Sequence, residues 1–279
     1  MSKNITIVTV THNSMTVLPD MIKSIPIETP VIIVDNASED IKKVKALSKS
    51  VNAKLIINTV NKGFGEACNQ GAKLVQTDFI FFLNPDTTLE RQTLKHLENF
   101  AIENPKGFAF NPKIIKPNGR VYFKRSSHLL NRSDWMSRGG PKKSKCVNIL
   151  SGAAFFVRKD AFNNVGGWDE NIFLYHEEDD LCIRLKDIGG ELMFVSSAIV
   201  RHIRGASTIS SKRGAYFKGW HMGKSRVYAT VKHKRKYARS LALSGAILEI
   251  ASPLSLISSR KRAKSWGYFK GVMSALSSK

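Results

Sequence analysis

Short apolar runs alternate with helical repeats over the first ninety residues of the chain. The apolar runs cover residues 5–10, 31–34, 54–58 and 78–83, and helical spacing falls at about 15–25, 38–50 and 65–75, with Ser38 as an N-cap. Near-continuous apolar strands that alternate with helices are typical of a parallel sheet covered on both faces. The pattern therefore predicts an α/β fold in which helices flank a mostly parallel sheet.

Polar side chains follow each of the four predicted strands at the point where the strand ends. They are Thr11 and Asn13, Asp35 and Asn36, Asn61 and Lys62, and Asn84 and Asp86. Ligands of open α/β sheets bind in the crevice beyond the carboxyl ends of the strands. Asn and Asp at any single position also favour turns, but four polar strand ends in succession, two with carboxylates, favour a binding site.

The pattern beyond residue 90 is less regular and includes an acidic cluster. It predicts helices at about 91–103, 159–164 and 178–189, strands near 108–115, 147–158 and 191–195, and a basic loop over 125–146. The densest acidic cluster of the chain, His-Glu-Glu-Asp-Asp at 176–180, opens the last helix. Clustered like charges raise the proton affinity of at least one member, which suits a general base. The helix dipole also favours acids there, but it accounts for four in a row less well than for one or two.

The composition is that of an ordinary globular protein. The 279 residues are 42% hydrophobic and 24% charged, which argues against wholesale disorder. The three cysteines, Cys68, Cys146 and Cys182, are far apart and form no C-x-x-C pair, so we expect neither a disulfide framework nor a cysteine zinc site. A reducing compartment is the simplest interpretation. No signal-peptide pattern precedes the first strand, which disfavours secretion.

The charge of the chain is concentrated near its C-terminus. Lys and Arg number 44 against 22 acids, and residues 201–279 hold 18 of the basic residues but a single acid, Glu249. The apolar run over 241–259 is interrupted by Glu249 and Pro253, so it is a poor transmembrane span. Basic residues interleaved with aromatic ones favour a peripheral helix on an anionic membrane over a solvated helical pair packed on the first 205 residues. Nucleic-acid binding is the alternative, but it leaves the strand-end carboxylates without a role.

Several motifs in order give the chain a family resemblance. They are Val8-Thr-Val-Thr-His-Asn13, Val34-Asp-Asn-Ala-Ser38, Asn61-Lys-Gly-Phe-Gly-Glu-Ala-Cys-Asn69, Leu83-Asn-Pro-Asp86, Gly152-Ala-Ala-Phe-Phe-Val-Arg158, Val165-Gly-Gly-Trp-Asp-Glu170, Phe173-Leu-Tyr-His-Glu-Glu-Asp-Asp-Leu181 and His202. Together they resemble the family 2 glycosyltransferases, which have the GT-A fold, and most of all the rhamnosyltransferase-like branch. The resemblance implies a GT-A domain over 1–205, with a nucleotide-binding half to about 100 and an acceptor half after it. Residues 206–279 then form a basic helical extension.

The resemblance also implies which residues bind the donor. The nucleotide-binding set is Thr11, Asn13, Asp35, Asn36, Lys62, Asn69 and Asn84. Asp35 matches the carboxylate that contacts the nucleobase, which implies a pyrimidine donor, dTDP-rhamnose or a UDP-sugar. Asp86 stands in the family's Asp-x-Asp metal motif with Asn84 in the first position, and His202 matches a histidine that completes the site in some relatives, although a lone histidine can equally be structural. The implied cofactor is Mg²⁺ or Mn²⁺, whose ligands are mainly oxygen atoms.

Catalytic and acceptor roles follow from the same resemblance. Glu178 stands where the family has its catalytic aspartate, and Asp180 is the second candidate for the base. Trp168, Asp169 and Glu177 are assigned to acceptor binding, with core packing an equal alternative for Trp168.

The whole then resembles an inverting, metal-dependent glycosyltransferase of cell-surface polysaccharide synthesis. It would act on a lipid-linked or oligosaccharide acceptor at the cytoplasmic face of the cell membrane, and association into a homo-oligomer is left open. A relative without activity that only docks polysaccharide machinery is a weaker alternative, because the acidic cluster is retained.

Overall fold

The computed structural model describes residues 4–202 and 211–277 and is built on one mixed sheet. Its strands are β1 Ile5–Thr11, β2 Val31–Asn36, β3 Lys54–Asn58, β4 Phe79–Leu83, β5 Thr87–Leu89, β6 Gly107–Ile115, β7 Val121–Tyr122, β8 Lys145–Cys146, β9 Ala154–Arg158 and β10 Glu191–His202. Its α-helices are α1 Leu18–Lys23, α2 Ile41–Ser50, α3 Phe64–Ala72, α4 Thr93–Glu103, α5 Lys159–Asn164, α6 Glu177–Asp187, α7 Lys212–Lys232, α8 Ala238–Ile250, α9 Pro253–Ile257 and α10 Ser259–Ser277.

The sheet has the order β3-β2-β1-β4-β9-β6-β10-β5, with β7 beside β6 and β8 beside β10. The pairs β3–β2, β2–β1 and β1–β4 are parallel, as the sequence pattern predicts, and β9 runs antiparallel to both of its neighbours. Residue Thr11 is in register with Asp35, and Asn36 with Asn58. The polar ends of the first three strands therefore lie side by side at one edge of the sheet.

Alternate residues of the central strands fill two cores, one on each face of the sheet. One core includes Ile5, Ile7 and Phe81, and the other includes Val8, Ile32 and Phe82. Burial on both faces explains why these strands read as continuous apolar runs.

Three predicted boundaries differ from the structure. Asp40, not Ser38, caps α2, because its carboxylate accepts a hydrogen bond from the N–H group of Lys43. The predicted strand over 147–158 begins at Ala154, and β10 extends beyond Val195 to His202. The predicted domain boundary at residues 205 and 206 lies outside the described residues.

The helices α7 and α10 pack with their backbones in contact. Gly219 and Gly223 on α7 face Gly267 and Gly271 on α10, and an added Cβ atom on any of the four would overlap a carbonyl oxygen of the opposite helix. Small residues at four-residue spacing allow this close approach between helices. Across both described stretches, no helix combines the length and the apolar character needed to cross a bilayer.

Substitution of Gly271 by alanine should therefore separate α7 from α10. A Cβ atom there would collide with the carbonyl oxygen of Trp220, and overpacking of this kind costs about 1–3 kcal/mol. We expect a lower Tm by differential scanning calorimetry. Gly245→Ala is the control, because its Cβ would meet only the flexible end of Arg226, and alanine favours a helix by about 1 kcal/mol over glycine. Equal Tm values for the two variants would contradict the close packing.

Candidate active site

Two buried oxygen atoms at the strand ends lack an internal partner. The Asp35 Oδ1 atom accepts a hydrogen bond from the Ser38 N–H group at 3.0 Å. Its Oδ2 atom and the Thr11 Oγ1 atom, on the neighbouring strand, have no hydrogen-bond partner among the described residues, and both residues are almost completely buried. Buried polar atoms are rarely left unpaired, so these two indicate a site where a ligand or water completes the bonding.

Asn36 shapes the site through hydrogen bonds within the protein. Its amide nitrogen donates to the Asn61 Oδ1 atom and the Gly63 carbonyl oxygen, both at 2.9 Å. Its Oδ1 atom accepts from the Asn58 amide and from the Lys62 N–H group. These contacts use the hydrogen-bonding capacity of the Asn36 side chain within the protein, and its role in nucleotide binding stays a prediction. It fixes the turn that carries Lys62 and Gly63 at the edge of the sheet.

Asn69 and Trp168 also make internal contacts. The Asn69 side chain donates to the Trp168 carbonyl oxygen and to Glu170, and it accepts from the Trp168 N–H group at 2.9 Å. The Trp168 indole is 1% exposed and packs among Phe64, Phe82, Phe155 and Phe162. The burial of the ring supports the core-packing alternative for Trp168, and nucleotide binding by Asn69 and acceptor binding by Trp168 stay predictions.

Asn13 and Lys62 lie at the rim of this edge. Asn13 has a left-handed backbone, with φ of 56°, and its Oδ1 atom accepts a hydrogen bond from the Glu39 N–H group. The Lys62 ammonium pairs with Glu66 at 2.8 Å, and about a third of each side chain is exposed. Their roles in donor binding stay predictions.

Asp86 and His202 meet although 116 residues separate them in the chain. The β5–β10 pairing sets His202 opposite Thr87, and the His202 Nε2 atom lies 3.2 Å from the Asp86 Oδ1 atom. Both side chains are largely buried, at 4% exposure for Asp86 and 11% for His202. The described residues contain no group of three His, Cys, Asp or Glu side chains arranged for a metal. A cation held by this pair would therefore take its other ligands from a bound diphosphate and from water.

The acidic cluster at the start of α6 is organised around a buried lysine. Lys124 lies 2.7 Å from the Glu178 carboxylate and 2.5 Å from that of Asp179, and Asp179 also contacts His176 at 3.0 Å. Burial alone would raise the pKa of Asp179, but Lys124 and His176 hold it well below its usual range. Lys124 lies just before the predicted basic loop, and nothing local in the sequence marks it as a partner of α6.

Glu177 is the member of the cluster whose proton affinity is raised. Burial, reinforced by the charge of Glu178, lifts the pKa of the Glu177 carboxyl well above its ordinary value. The residue is only 7% exposed and lies close to the buried thiol of Cys68. This burial supports a structural position for Glu177, and its role in acceptor binding stays a prediction.

Asp180 is buried and fully paired. Its carboxylate contacts Arg184 and Lys232, both at 2.6 Å, and His233 at 2.8 Å. Burial raises the pKa of Asp180, but the His233 hydrogen bond and the Arg184 charge outweigh it and bring the pKa to about 2. The Asp180 carboxylate has 0% exposure and contacts three basic side chains, which supports a structural role; its role as the base stays a prediction. It anchors the end of α7 to α6.

Asp169 makes a second anchor for the same helix. Its Oδ2 atom contacts the Lys232 ammonium at 2.6 Å and accepts a hydrogen bond from the Tyr228 hydroxyl at 3.0 Å. Its Oδ1 atom accepts from the Asn171 N–H group at 2.9 Å. These contacts occupy both oxygen atoms of Asp169, and its role in acceptor binding stays a prediction.

Glu178 is the remaining carboxylate of the acidic cluster. Its side chain, 19% exposed, packs against Gly152, where an added Cβ would touch it at 3.4 Å. The next residue, Ala153, accepts a hydrogen bond at 3.0 Å from the N–H group of Asn84. The 152–153 segment therefore lies between Glu178 on one side and the 84–86 turn on the other.

Helix α7 lies over the strand-end edge, which the sequence pattern does not reveal. The His221 ring stacks on Phe173 at 4.0 Å between centroids, and the Phe173 carbonyl oxygen accepts a hydrogen bond from the Phe64 N–H group beside the Gly63 turn. The ammonium of Lys218, on the same helix, has Arg260 and Asp86 as electrostatic neighbours. The aromatic residues of the basic segment are therefore partly internal contacts.

Comparison with solved structures identifies the fold. The chain superposes on the crystal structure of GalNAc-T7 with UDP, GalNAc and Mn²⁺ with a TM-score of 0.64, at 18% identity, over 97% of this chain and 56% of that one. It superposes on the mannosyltransferase PcManGT from Pyrobaculum calidifontis, in complex with GDP-Man and Mn²⁺, with a TM-score of 0.62, at 14% identity, over 99% of this chain and 88% of that one. The fold is the GT-A glycosyltransferase fold, as the motifs predict, and it carries a helical C-terminal region.

Sequence comparison gives the family. The profile described as Glycosyl transferase family 2 matches residues 6–166, and the chain belongs to that family. It is 29% identical over 216 residues to N-acetylglucosaminyl-diphospho-decaprenol L-rhamnosyltransferase of Mycobacterium tuberculosis, covering 66% of this chain and 70% of that one. It is 27% identical over 146 residues to poly-beta-1,6-N-acetyl-D-glucosamine synthase of Staphylococcus aureus, covering 50% of this chain and 33% of that one. The protein is a glycosyltransferase of the rhamnosyltransferase-like branch.

Proposed function

We propose that the protein transfers a sugar, with inversion, from a pyrimidine nucleoside diphosphate to a lipid-linked saccharide in polysaccharide synthesis. The observation that carries this proposal is that one short segment, 152–153, contacts both Glu178 and Asn84, because a base and a diphosphate site must lie near each other for transfer. The diphospho-decaprenol in the name of the mycobacterial relative supports a lipid-linked acceptor.

Asp35 and Thr11 are the proposed nucleobase contacts. The unpaired Asp35 Oδ2 atom can accept the imino N–H of uracil or thymine, and the Thr11 hydroxyl can bond the adjoining oxygen. A nucleobase that is bound in this way completes the hydrogen bonding of the Asp35 Oδ2 atom and the Thr11 hydroxyl, and it thereby stabilises the fold around them.

Glu178 is the proposed general base. The acceptor hydroxyl oxygen attacks the anomeric carbon, the bond from that carbon to the diphosphate breaks, and the hydroxyl proton moves to the Glu178 carboxylate. Lys124 pairs with the Glu178 carboxylate before the reaction. Asp179 keeps Lys124 paired once Glu178 has become neutral, so no buried charge is left alone.

Asp86 and His202 are the proposed metal ligands. A divalent cation supplies charge neutralisation for the departing diphosphate. The mixed oxygen and nitrogen pair suits Mn²⁺ better than Mg²⁺, which prefers oxygen ligands throughout. Both solved neighbours described above contain Mn²⁺. The cationic Lys218 lies on the same side and adds a second positive charge near the diphosphate.

Nucleotide binding tests the donor assignment directly. UDP or dTDP with Mn²⁺, at about 100 times the dissociation constant, should stabilise the protein by roughly 2.7 kcal/mol in a thermal-shift assay. GDP should give little shift, and Asp35→Asn should lose the shift with every nucleotide. Asp20→Asn, at an exposed position on α1, is the control and should behave like the natural protein. An equal shift with GDP would contradict the pyrimidine assignment.

Metal dependence has its own test. In Asp86→Asn and His202→Gln variants, UDP or dTDP alone should still bind, but the additional stabilisation that Mn²⁺ gives should disappear. The matched control is Glu90→Gln, an exposed carboxylate near the same strand pair whose partner is Arg201. If the Mn²⁺ increment survives in both site variants, the metal assignment is wrong.

The C-terminal helices are the proposed membrane contact, at the cytoplasmic face of the cell membrane. They expose large apolar side chains, among them Leu241, Leu248, Ile257 and Trp266, within a segment that is almost free of acids. Anionic lipids attract such a surface through its cations and take up its apolar side chains. Several aromatic rings are stacked within the protein, which leaves fewer platforms for nucleic-acid bases.

A further inference from the structure

The C-terminal helices border a half-open cavity that the proposed transfer mechanism does not use. It has a volume of about 520 Å³ and lies among the start of α7, the end of α8, α9 and the start of α10. Its apolar wall includes Ile250, Ala263 and Trp266, while Lys212 and Arg262 contribute two cations. Its volume is within the range of small-molecule sites, which is about 300–1,000 Å³.

The lining suits a ligand that is apolar at one end and anionic at the other. Among the described residues that line the cavity, none is acidic. Arg260 and Lys261, on the first turn of α10, add positive charge to the same end. Leu248 and Ile257 on the adjoining helices are 71% and 83% exposed, so the cavity is surrounded by side chains suited to a lipid surface. A phosphate group next to a hydrocarbon chain has this combination of chemistry.

Basic residues lie between the cavity and the candidate active site. Ser259 lines the cavity, the next residue, Arg260, is an electrostatic neighbour of Lys218, and Asp86 is another electrostatic neighbour of that lysine. Lys212 and Lys218 lie on one helix, about 9 Å apart along its axis at 1.5 Å per residue. Basic groups therefore lead from the cavity towards the place where the diphosphate of the donor would bind.

We propose that this cavity binds the isoprenyl chain of the lipid-linked acceptor where the chain meets its phosphate groups. Lys212 and Arg262 contact the phosphates, and Ile250, Ala263 and Trp266 contact the first isoprene units. The identity of the lipid rests on the proposed function. Binding at this site would hold the saccharide of the acceptor near Glu178 while the rest of the lipid chain stays in the bilayer.

Binding of farnesyl phosphate to the full chain tests the cavity without any transfer reaction. We expect saturable binding by isothermal titration calorimetry, with inorganic phosphate and farnesol each binding at least tenfold more weakly. Ala263→Phe, which fills the cavity, and Lys212→Glu should each lower the affinity for farnesyl phosphate at least tenfold. Lys236→Glu, the same charge change at an exposed position between α7 and α8, is the control and should bind normally. Unchanged binding in the Lys212→Glu variant, or equally strong binding of dodecyl phosphate, would overturn the isoprenyl assignment.

Kinetics separate this proposal from the proposed function. The cavity variants should raise the KM for a polyprenyl-diphosphate-linked acceptor at least tenfold, with the donor KM and the kcat on a short water-soluble acceptor unchanged. If the natural protein binds farnesyl phosphate but transfers no sugar to any lipid-linked acceptor, the proposed function fails and the cavity stands. If transfer occurs and the cavity variants leave the KM for the polyprenyl-linked acceptor unchanged, as for the short one, the cavity assignment fails and the proposed function stands.

Discussion

Replacing Glu178 by glutamine should lower the turnover number for glycosyl transfer by about 10²–10⁴-fold, the range for loss of a general base. The amide keeps the shape of the side chain beside Gly152 but cannot take up the proton of the attacking hydroxyl group. Binding of UDP or dTDP should change little, because the proposed nucleobase contacts lie on β1 and β2 whereas Glu178 lies on α6. The measurement is initial-rate kinetics together with the nucleotide thermal shift on the same preparation.

Two variants control this result. Glu103→Gln, an exposed carboxylate at the end of α4, should keep normal turnover. Glu178→Asp should retain part of the activity, because the shorter carboxylate matches the residue type that the family resemblance implies at this position. Full activity in Glu178→Gln would remove Glu178 as the base.

Replacing Asp180 by alanine should instead destabilise the fold by about 3–5 kcal/mol, the effect of removing one partner of a buried ion pair. Arg184, Lys232 and His233 would lose their shared carboxylate, and the end of α7 would lose an anchor on α6. Urea unfolding at pH 7 measures the loss. Asp187→Asn, at an exposed position on the same helix, should leave the free energy of unfolding nearly unchanged.

The contribution of Asp180 should also depend on pH. Its pKa is about 2 in the folded protein, below the 3.8 of the free side chain, so the folded state favours the ionised form. The stabilisation is fully present above pH 3.8 and is lost as the pH falls towards 2. The difference in stability between the natural protein and Asp180→Asn should therefore shrink across this interval. A difference that stays constant from pH 7 to pH 2.5 would contradict an ionised Asp180 carboxylate held by Arg184, Lys232 and His233.

The first half of the fold could be predicted from the sequence because its strands are buried on both faces. The apolar runs of β1 to β4 and their polar ends need no distant information, and their parallel order follows from the helices between them. The position of β9, antiparallel between β4 and β6, depends on contacts between distant parts of the chain. No local pattern specifies it.

The candidate site was harder to predict because residue type does not give the direction of a side chain. Asp180 and Arg184 stand four residues apart on α6, a spacing that is typical of an ion pair. This spacing is a local sequence signal for a structural role of Asp180. The partners Lys232 and His233, more than fifty residues away, could not be inferred. Trp168 and Asn69 belong to family motifs, and family motifs preserve core contacts as well as contacts with substrates.

Helix α7 lies against both the candidate active site and the cavity between the C-terminal helices. One half of the helix lies on Phe173 and near Asp86, and its first turn lines the cavity next to α10. Any ligand that orders this helix from one side lowers the entropy that a second ligand must lose on the other, and this coupling is reciprocal. An enzyme bound to the bilayer should then hold its nucleotide sugar more tightly than the same enzyme free in water, and less of the activated donor would be hydrolysed away from the membrane.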